Sequence, residues 1–153
     1  MIKYLWLIFG LLVFLILPKM VTACSCDLPV QGKSVRQQVI DARLKAEAVF
    51  VGKVLSVESP ADMLYKKITL EVRDEWKGAN VQKVTILTGR GGGDCGYEFE
   101  VGGTYLVYAY GDNHTYLGTN ICQRTAVYQN DLADLKFLGK PRSHRRSAPA
   151  STS

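Results

Sequence analysis

The chain has 153 residues, four cysteines and a formal net charge of +5. Six of its 19 Lys and Arg residues lie in the first 23 and last 14 positions, so residues 24–139 carry 13 basic and 14 acidic residues, a net charge of −1. A core of that charge is a poor surface for a phosphate backbone, and we therefore expect no nucleic-acid partner. A chain of this length is expected to form a single domain.

Residues 1–23 have the three parts of an export signal. A lysine precedes an apolar run over residues 4–17, and the segment ends in Val-Thr-Ala. The run is shorter than the roughly 20 residues that a membrane-spanning helix needs. We predict signal peptidase cleavage between Ala23 and Cys24, and a secreted, extracellular chain of 130 residues that begins at Cys24.

The sequence Val21-Thr22-Ala23-Cys24 also fits the bacterial lipobox, in which Cys24 becomes lipidated. That processing would give a periplasmic or surface lipoprotein, whereas without the lipid we expect no membrane association. Pro18 and Lys19 separate the motif from the apolar run, which favours ordinary cleavage.

All four cysteines lie after the predicted cleavage site, at Cys24, Cys26, Cys95 and Cys122. An even number of cysteines in an exported chain predicts two disulfides. A bridge between Cys24 and Cys26 would close a strained ring, so two pairings remain, and both tie the N-terminus to two distant points. A four-cysteine zinc site is the alternative, but the sequence lacks the paired knuckles of structural zinc.

After the predicted cleavage site, the sequence has first a helical pattern and then mainly strand patterns. Ser34 and Gln37 form a capping box that opens a helix, which we expect to end near Glu47. Alternating apolar residues predict strands over 49–57, 65–76, 81–87, 105–110 and 116–122, with Gly52 at a bulge or bend. A short helix is predicted over residues 131–138.

The strand over 65–76 has the clearest two-residue period. Its buried face is predicted to hold Ile68, Leu70, Val72 and Trp76, and its solvated face Asp74 and Glu75. Five strands with bulge glycines and two flanking helices predict a mainly β fold, a five-stranded OB-like Greek-key barrel over residues 24–139. Residues 140–153 are predicted to be a disordered basic tail.

No catalytic set emerges from the sequence. The histidines, His114 and His144, fall in a predicted turn and in the tail, so neither is placed for nucleophilic catalysis. The glycine run over 89–96 lacks the ending of a phosphate loop and is predicted to be a flexible loop held by a disulfide at Cys95. Asn113-His114-Thr115 has the pattern of a glycosylation sequon. We expect a monomer that is not an enzyme and needs no cofactor.

Several short motifs occur in an order that is known from one protein family. They are Cys24-Ser25-Cys26, Ile40–Val49, Trp76-Lys77-Gly78, Asp94-Cys95-Gly96-Tyr97, Val101-Gly102-Gly103, Tyr105-Leu106-Val107 and Asn120-Ile121-Cys122. In this order they resemble the N-terminal inhibitory domain of the tissue inhibitors of metalloproteinases, within the netrin-like group of OB barrels. The resemblance covers residues 24–138.

The resemblance implies a pairing of the cysteines and a mode of action. The implied bridges are Cys24–Cys95 and Cys26–Cys122. In that family the main-chain amine and carbonyl of the first cysteine, here Cys24, chelate the catalytic zinc of the target protease, and the next side chain, here Ser25, enters the S1′ pocket.

The same resemblance implies a second contact ridge, in which the loop ending Gly93-Asp94-Cys95 lies beside Cys24. The implied inhibitory contact residues are Cys24, Ser25, Cys26, Asp94 and Cys95. The expected partner is therefore a zinc metalloproteinase, and the expected function is its inhibition. The alternative is a non-inhibitory netrin-like interaction module, anchored at Cys24 if that residue is lipidated.

Overall fold

The computed structural model describes residues 24–26, 32–91, 93–112 and 116–143. The predicted export signal, the sequon at 113–115 and residues 144–153 of the predicted tail lie outside the described residues, as do both histidines. In the described part of the chain, no helix has the length and apolar character to cross a membrane.

The described chain contains two helices and seven strands. Helix α1 spans Val35–Lys45, and helix α2 spans Ala133–Leu138. The strands are β1 (Ala48–Glu58), β2 (Tyr65–Lys77), β3 (Lys83–Gly89), β4 (Thr104–Asp112), β5 (Tyr116–Gly118), β6 (Ala126–Val127) and β7 (Arg142–Ser143). Both predicted helices and all five predicted strands are present, but β5 is much shorter than the predicted strand over 116–122.

Five of the strands form a closed barrel. They are hydrogen bonded in the order β1-β2-β3-β5-β4, and β4 pairs again with β1. Every neighbouring pair in the barrel is antiparallel except β3 and β5, which are parallel. The predicted mainly β, OB-like Greek-key barrel with flanking helices is therefore confirmed.

The apolar residues form two clusters, one on each side of β1 and β4. The barrel interior holds Ala48, Phe50, Val54, Ile68, Leu70, Val72, Ala79, Ile86, Phe99, Tyr105, Val107 and Ala109. The second cluster joins the barrel to the helices and holds Val39, Ala46, Val49, Val51, Leu106, Tyr108 and Leu138. Because β1 and β4 alternate between these clusters, both of their faces are covered.

A register shift between β1 and β2 lies beside Gly52, as predicted, although the extra residue is Arg73 on the partner strand. A Cβ atom at Gly52 would lie 3.1 Å from side-chain atoms of Leu70 and Phe50. The absence of a side chain at this position therefore lets the two strands approach closely.

The same shift changes which residues of β2 are buried beyond Val72. Glu75, predicted to be solvated, is only 1% exposed. Trp76, predicted on the same face as Val72, packs instead against the second cluster and donates its indole N–H to the Gly139 carbonyl oxygen at 2.7 Å. The extra residue Arg73 inverts the two-residue alternation of the strand and so buries Glu75, and Trp76 is itself the extra residue of a second register shift, beside Val49 and Phe50.

Helix α1 is capped at both ends by side chains. The Ser34 hydroxyl accepts a hydrogen bond from the Gln37 backbone N–H at 3.2 Å, but the Gln37 amide donates to Asp41 and does not return to Ser34. At the other end, the Lys77 ammonium donates to carbonyl oxygens of the last turn, including that of Leu44 at 3.1 Å. A cation at a helix C-terminus interacts favourably with the helix dipole.

A buried carboxylate joins α2 to the barrel. Asp134 is 4% exposed and accepts hydrogen bonds from the Tyr108 hydroxyl at 2.9 Å and from Arg124 at 2.8 and 2.5 Å. Arg124 also donates to Gln38 of α1 at 3.2 Å. Burial, followed by the nearby Asp134 carboxylate, raises the pKa of Tyr108, so this hydroxyl remains a donor.

Strand β7 extends the ordered structure beyond the predicted domain boundary. Arg142 and Ser143 pair with Glu75 and Asp74 of β2, and the Arg142 guanidinium lies 3.4 Å from the Glu75 carboxylate. The first residues of the segment predicted to be a tail are thus part of the sheet.

We expect Asp134→Asn to lower the free energy of unfolding by about 3 kcal/mol, because it leaves the partly buried Arg124 without its anion. The measurement is denaturant unfolding followed by circular dichroism. Asp41→Asn is the matched control, since Asp41 forms an exposed ion pair with Lys33 and should change stability far less. Equal effects of the two substitutions would contradict this account of the network.

Candidate functional site

Two disulfides attach the N-terminal segment, residues 24–26, to the barrel. Cys24 is bonded to Cys95, and Cys26 is bonded to Cys122. These are the two pairings that the resemblance implies. The Cα atoms lie 5.3 and 5.1 Å apart, which is ordinary for disulfides. Because no cysteine is free, the alternative of a four-cysteine zinc site does not apply to this structure.

The barrel topology brings the two attachment points together. Strands β3 and β5 are parallel neighbours, so the segments that leave their C-terminal ends start side by side. We call residues 89–91 and 93–96, which begin at the last residue of β3, the glycine loop, and residues 119–124 after β5 the cysteine turn. The Thr119 N–H donates to the Leu87 carbonyl at 2.9 Å, where the two segments begin.

The glycine loop and the cysteine turn are also in direct contact. The Ile121 N–H donates to the Cys95 carbonyl oxygen at 2.9 Å. The sulfur atoms of Cys95 and Cys122, which belong to different bridges, lie 4.0 Å apart. We call the surface formed by residues 24–26, the glycine loop and the cysteine turn the disulfide ridge.

Asp94 organises the described part of the glycine loop, which the sequence predicted to be flexible. Its carboxylate accepts backbone hydrogen bonds from Arg90 at 2.6 Å, Gly91 at 2.8 Å and Gly96 at 3.0 Å. These bonds, that from Gly96 foremost, lower the pKa of Asp94. Three backbone N–H groups of the loop therefore surround one anion, the carboxylate of Asp94, which belongs to the same loop.

Two glycines allow the ends of this loop to approach closely. A Cβ at Gly96 would lie 2.3 Å from the Gly89 carbonyl oxygen, and a Cβ at Gly89 would lie 2.5 Å from an Asp94 carboxylate oxygen. The lack of a side chain at Gly96 therefore allows close backbone approach, and the lack of one at Gly89 leaves room for the Asp94 carboxylate. The residue between Asp94 and Gly96, Cys95, has a left-handed φ of 61°.

Two side-chain hydrogen bonds hold the glycine loop to the rest of the barrel. The Thr88 hydroxyl accepts a hydrogen bond from the Tyr97 N–H at 2.7 Å. The Arg90 guanidinium donates to the carbonyl oxygen of Pro60, in the connection between β1 and β2. Neither contact is visible in the sequence, because both depend on strand pairing.

The cysteine turn explains why β5 ends early. The Asn120 side-chain oxygen accepts from the Cys122 N–H at 2.9 Å, and the Asn120 N–H donates to the Gln123 side chain at 3.0 Å. These local bonds replace sheet pairing after Gly118. An Asn that bonds to the backbone two residues later is a known turn signal, so the Asn-x-Cys pattern could have predicted this turn.

The structure brings all five predicted contact residues into the disulfide ridge. Ser25 and Cys26 are exposed, Cys24 and Cys95 are half-buried, and Asp94 is exposed with its carboxylate bonded to the loop backbone. The ridge also contains Ile121, which is 52% exposed and was not predicted.

A groove of about 440 Å³ lies between the glycine loop and the cysteine turn. Gly89 and Asp94 line it on one side and Asn120 and Gln123 on the other, with Tyr110 of β4 also in the lining. Asp94, Asn120 and Gln123 therefore belong to both the groove and the disulfide ridge.

Potential metal ligands within the described ranges cluster at one place, the sulfurs of Cys24, Cys95 and Cys122. These sulfurs are committed to disulfides, so the cluster is not available to a metal in this state. The chemistry of the ridge must therefore come from main-chain groups, from exposed side chains or from the disulfides themselves.

The lowered pKa of Asp94 generates a prediction for the glycine loop. The ionised carboxylate is the better acceptor, so its three hydrogen bonds should persist below the ordinary pKa of 3.8 and be lost as the pH falls through the lowered value. We expect the amide resonances of Arg90, Gly91 and Gly96 to titrate together with a midpoint below 3.8. The measurement is a series of two-dimensional ¹H–¹⁵N NMR spectra.

In the Asp94→Asn variant this shared titration should disappear, because no ionisable group remains at the position. Independent midpoints for the three amides, or a shared midpoint above the ordinary value, would show that Asp94 does not organise the loop.

Comparison with protein-family models finds no match to this chain, and comparison with curated protein sequences finds none either.

Proposed function

We propose that the mature protein is a secreted inhibitor of zinc metalloproteinases and that Cys24 and Ser25 make its principal contacts. The observation that carries this proposal is the double attachment of residues 24–26. One bridge leads from Cys24 to the glycine loop, the other leads from Cys26 to the cysteine turn, and the residue between them is exposed.

Cleavage before Cys24 would supply the chelating group. The free α-amine and the carbonyl oxygen of one residue can bind a metal together in a five-membered ring. Catalytic zinc in a protease is held by three protein ligands and keeps one position for water, which such a pair can displace. An α-amine has an ordinary pKa of about 7.7–8.0, so losing its proton to the metal is easy near neutral pH.

The two disulfides favour binding because they restrict residues 24–26 before the target arrives. A flexible peptide with the same groups would lose conformational entropy when it became ordered on the zinc. Here the bridges end in segments that are themselves fixed, by Asp94 in the glycine loop and by Asn120 in the cysteine turn. The proposal thus assigns positioning roles to Asp94 and Asn120.

Ser25 would determine which targets are bound. It is exposed between the two bridged cysteines, and its small polar side chain would be the one to enter the S1′ pocket. The groove between the glycine loop and the cysteine turn offers a further surface to the rim of a protease cleft. Asp94 would not oppose chelation strongly, because three backbone N–H groups already neutralise part of its charge.

Inserting one alanine before Cys24 in the mature chain should weaken inhibition by at least about 100-fold. The free α-amine then belongs to the added alanine, so it no longer shares a residue with the Cys24 carbonyl oxygen. The measurement is the inhibition constant against a panel of zinc endopeptidases with fluorogenic peptide substrates. The matched control carries one alanine after residue 143, and both variants should retain two disulfides and the native circular dichroism spectrum. Undiminished inhibition by the first variant would refute the chelation site, and the absence of inhibition across the panel by the unaltered protein would refute the function.

The intact mass of the exported protein tests the state of Cys24 directly. We expect the mass of residues 24–153 with two disulfides and no adduct, because an acylated amine could not chelate zinc. A lipid adduct at Cys24 would instead support the non-inhibitory, membrane-anchored module. The mass after reduction and alkylation provides the control, since it should rise by four alkyl groups.

A further inference from the structure

The sulfur atoms of different bridges lie close together in the disulfide ridge. Cys95 and Cys122 belong to different bridges, yet their sulfurs are 4.0 Å apart. Together with Cys24 they form a group whose three sulfurs all lie within 4.8 Å of one another. The sulfur of Cys26 is not a member of this group.

The two bridges differ in their access to solvent. Cys26 and Cys122 are both exposed, whereas Cys24 and Cys95 are both half-buried. A thiolate from solution therefore meets the Cys26–Cys122 bridge first. Thiol–disulfide exchange depends on access of this kind as well as on the chemistry of the attacking thiolate.

We propose that the disulfide ridge is a thiol–disulfide exchange site, at which a dithiol reductant replaces both native bridges with a single Cys95–Cys122 bridge and releases residues 24–26. The substrate class is a dithiol, small or protein-borne, that can close its own disulfide. The reaction has three displacement steps.

In the first step, a reductant thiolate attacks the sulfur of Cys26, and Cys122 leaves as a thiolate. In the second, the Cys122 thiolate attacks the sulfur of Cys95, the Cys95–Cys122 bond forms, and Cys24 leaves as a thiolate that takes a proton. In the third, the second reductant thiol attacks its own mixed disulfide and closes a ring, and Cys26 leaves and takes the other proton. Two electrons pass from the dithiol to the protein, which ends with one disulfide fewer.

The end state is favoured because its bridge joins two segments that are already held together. The hydrogen bond from the Ile121 N–H to the Cys95 carbonyl depends on neither native bridge. The new bridge spans 27 residues, whereas Cys24–Cys95 spans 71, so it closes a shorter loop. Within the described residues, the disulfides are the only bonds that join residues 24–26 to the barrel, and releasing them restores chain entropy.

The consequence for activity rests on the proposed function. Released from both bridges, Cys24 would no longer hold its amine and carbonyl in one direction, while the barrel, glycine loop and cysteine turn would remain folded. The ridge would then act as a redox switch that turns inhibition off without unfolding the protein.

The test follows disulfide connectivity in the full mature chain. The oxidised protein is treated with increasing dithiothreitol under native conditions, quenched with acid, alkylated and mapped by peptide mass spectrometry. We expect the main two-electron product to carry a Cys95–Cys122 bridge with alkylated Cys24 and Cys26. A product with Cys24–Cys95 intact, or full reduction without a detectable Cys95–Cys122 peptide, would overturn the proposal.

Two matched variants test the exchange step without any reductant, since each lacks the same native bridge. In Cys26→Ser the remaining thiol is Cys122, which lies in the three-sulfur group, so alkylation should be divided between Cys122 and Cys24. In Cys122→Ser the remaining thiol is Cys26, outside the group, and alkylation should stay on Cys26. Alkylation confined to Cys122 in the first variant would contradict exchange even if reduction proceeds by another route.

These measurements distinguish failure of the switch from failure of the proposed function. The disulfide connectivity is measured without a protease present, so it tests exchange whether or not the protein is an inhibitor. If the oxidised protein inhibits, activity should fall in proportion to the Cys95–Cys122 species while the circular dichroism spectrum stays native. Inhibition that survives full conversion to that species would refute the switch and leave the exchange chemistry in place.

Discussion

The candidate site depends on one covalent constraint, the attachment of residues 24–26 to two segments that leave the same end of the barrel. The parallel pairing of β3 and β5 makes this possible, because it starts the glycine loop and the cysteine turn side by side. Antiparallel pairing of these strands would have sent the two segments to opposite ends of the barrel, where a three-residue segment could not bridge them. The exposed surface around Ser25 is thus a product of sheet topology as much as of disulfide chemistry.

Carboxylates hold together the parts of the chain that regular pairing does not. Asp134 joins a helix to the barrel through Tyr108 and Arg124, and Asp94 gathers the backbone of a loop that has no strand partner. An ionised carboxylate can accept several hydrogen bonds at once, so one side chain can connect several donors. Asp134 is buried and Asp94 is exposed, but both serve as points where separate segments meet.

The disulfides give the ridge two properties that follow from the same geometry. Two neighbouring bridges restrict residues 24–26 in direction as well as in position, which supports the proposed role of the Cys24 main chain. The same stacking brings sulfurs of different bridges to 4.0 Å, which favours exchange between them. The proposed inhibition and the proposed exchange therefore depend on the same arrangement of the two bridges.

The sequence by itself determined the elements whose signals are local. Ser34 marked the start of α1, alternation located the strands, the even cysteine count gave two bridges, and the order of short motifs indicated which cysteines pair. Tertiary structure decided what depends on a partner. Register shifts at Arg73 and Trp76 bury Glu75 and place Trp76 against the second cluster, and Asp94 orders a glycine run that composition describes as flexible. It also decided how close the two bridges lie, because the register and direction of β3 against β5 are not encoded in either strand alone.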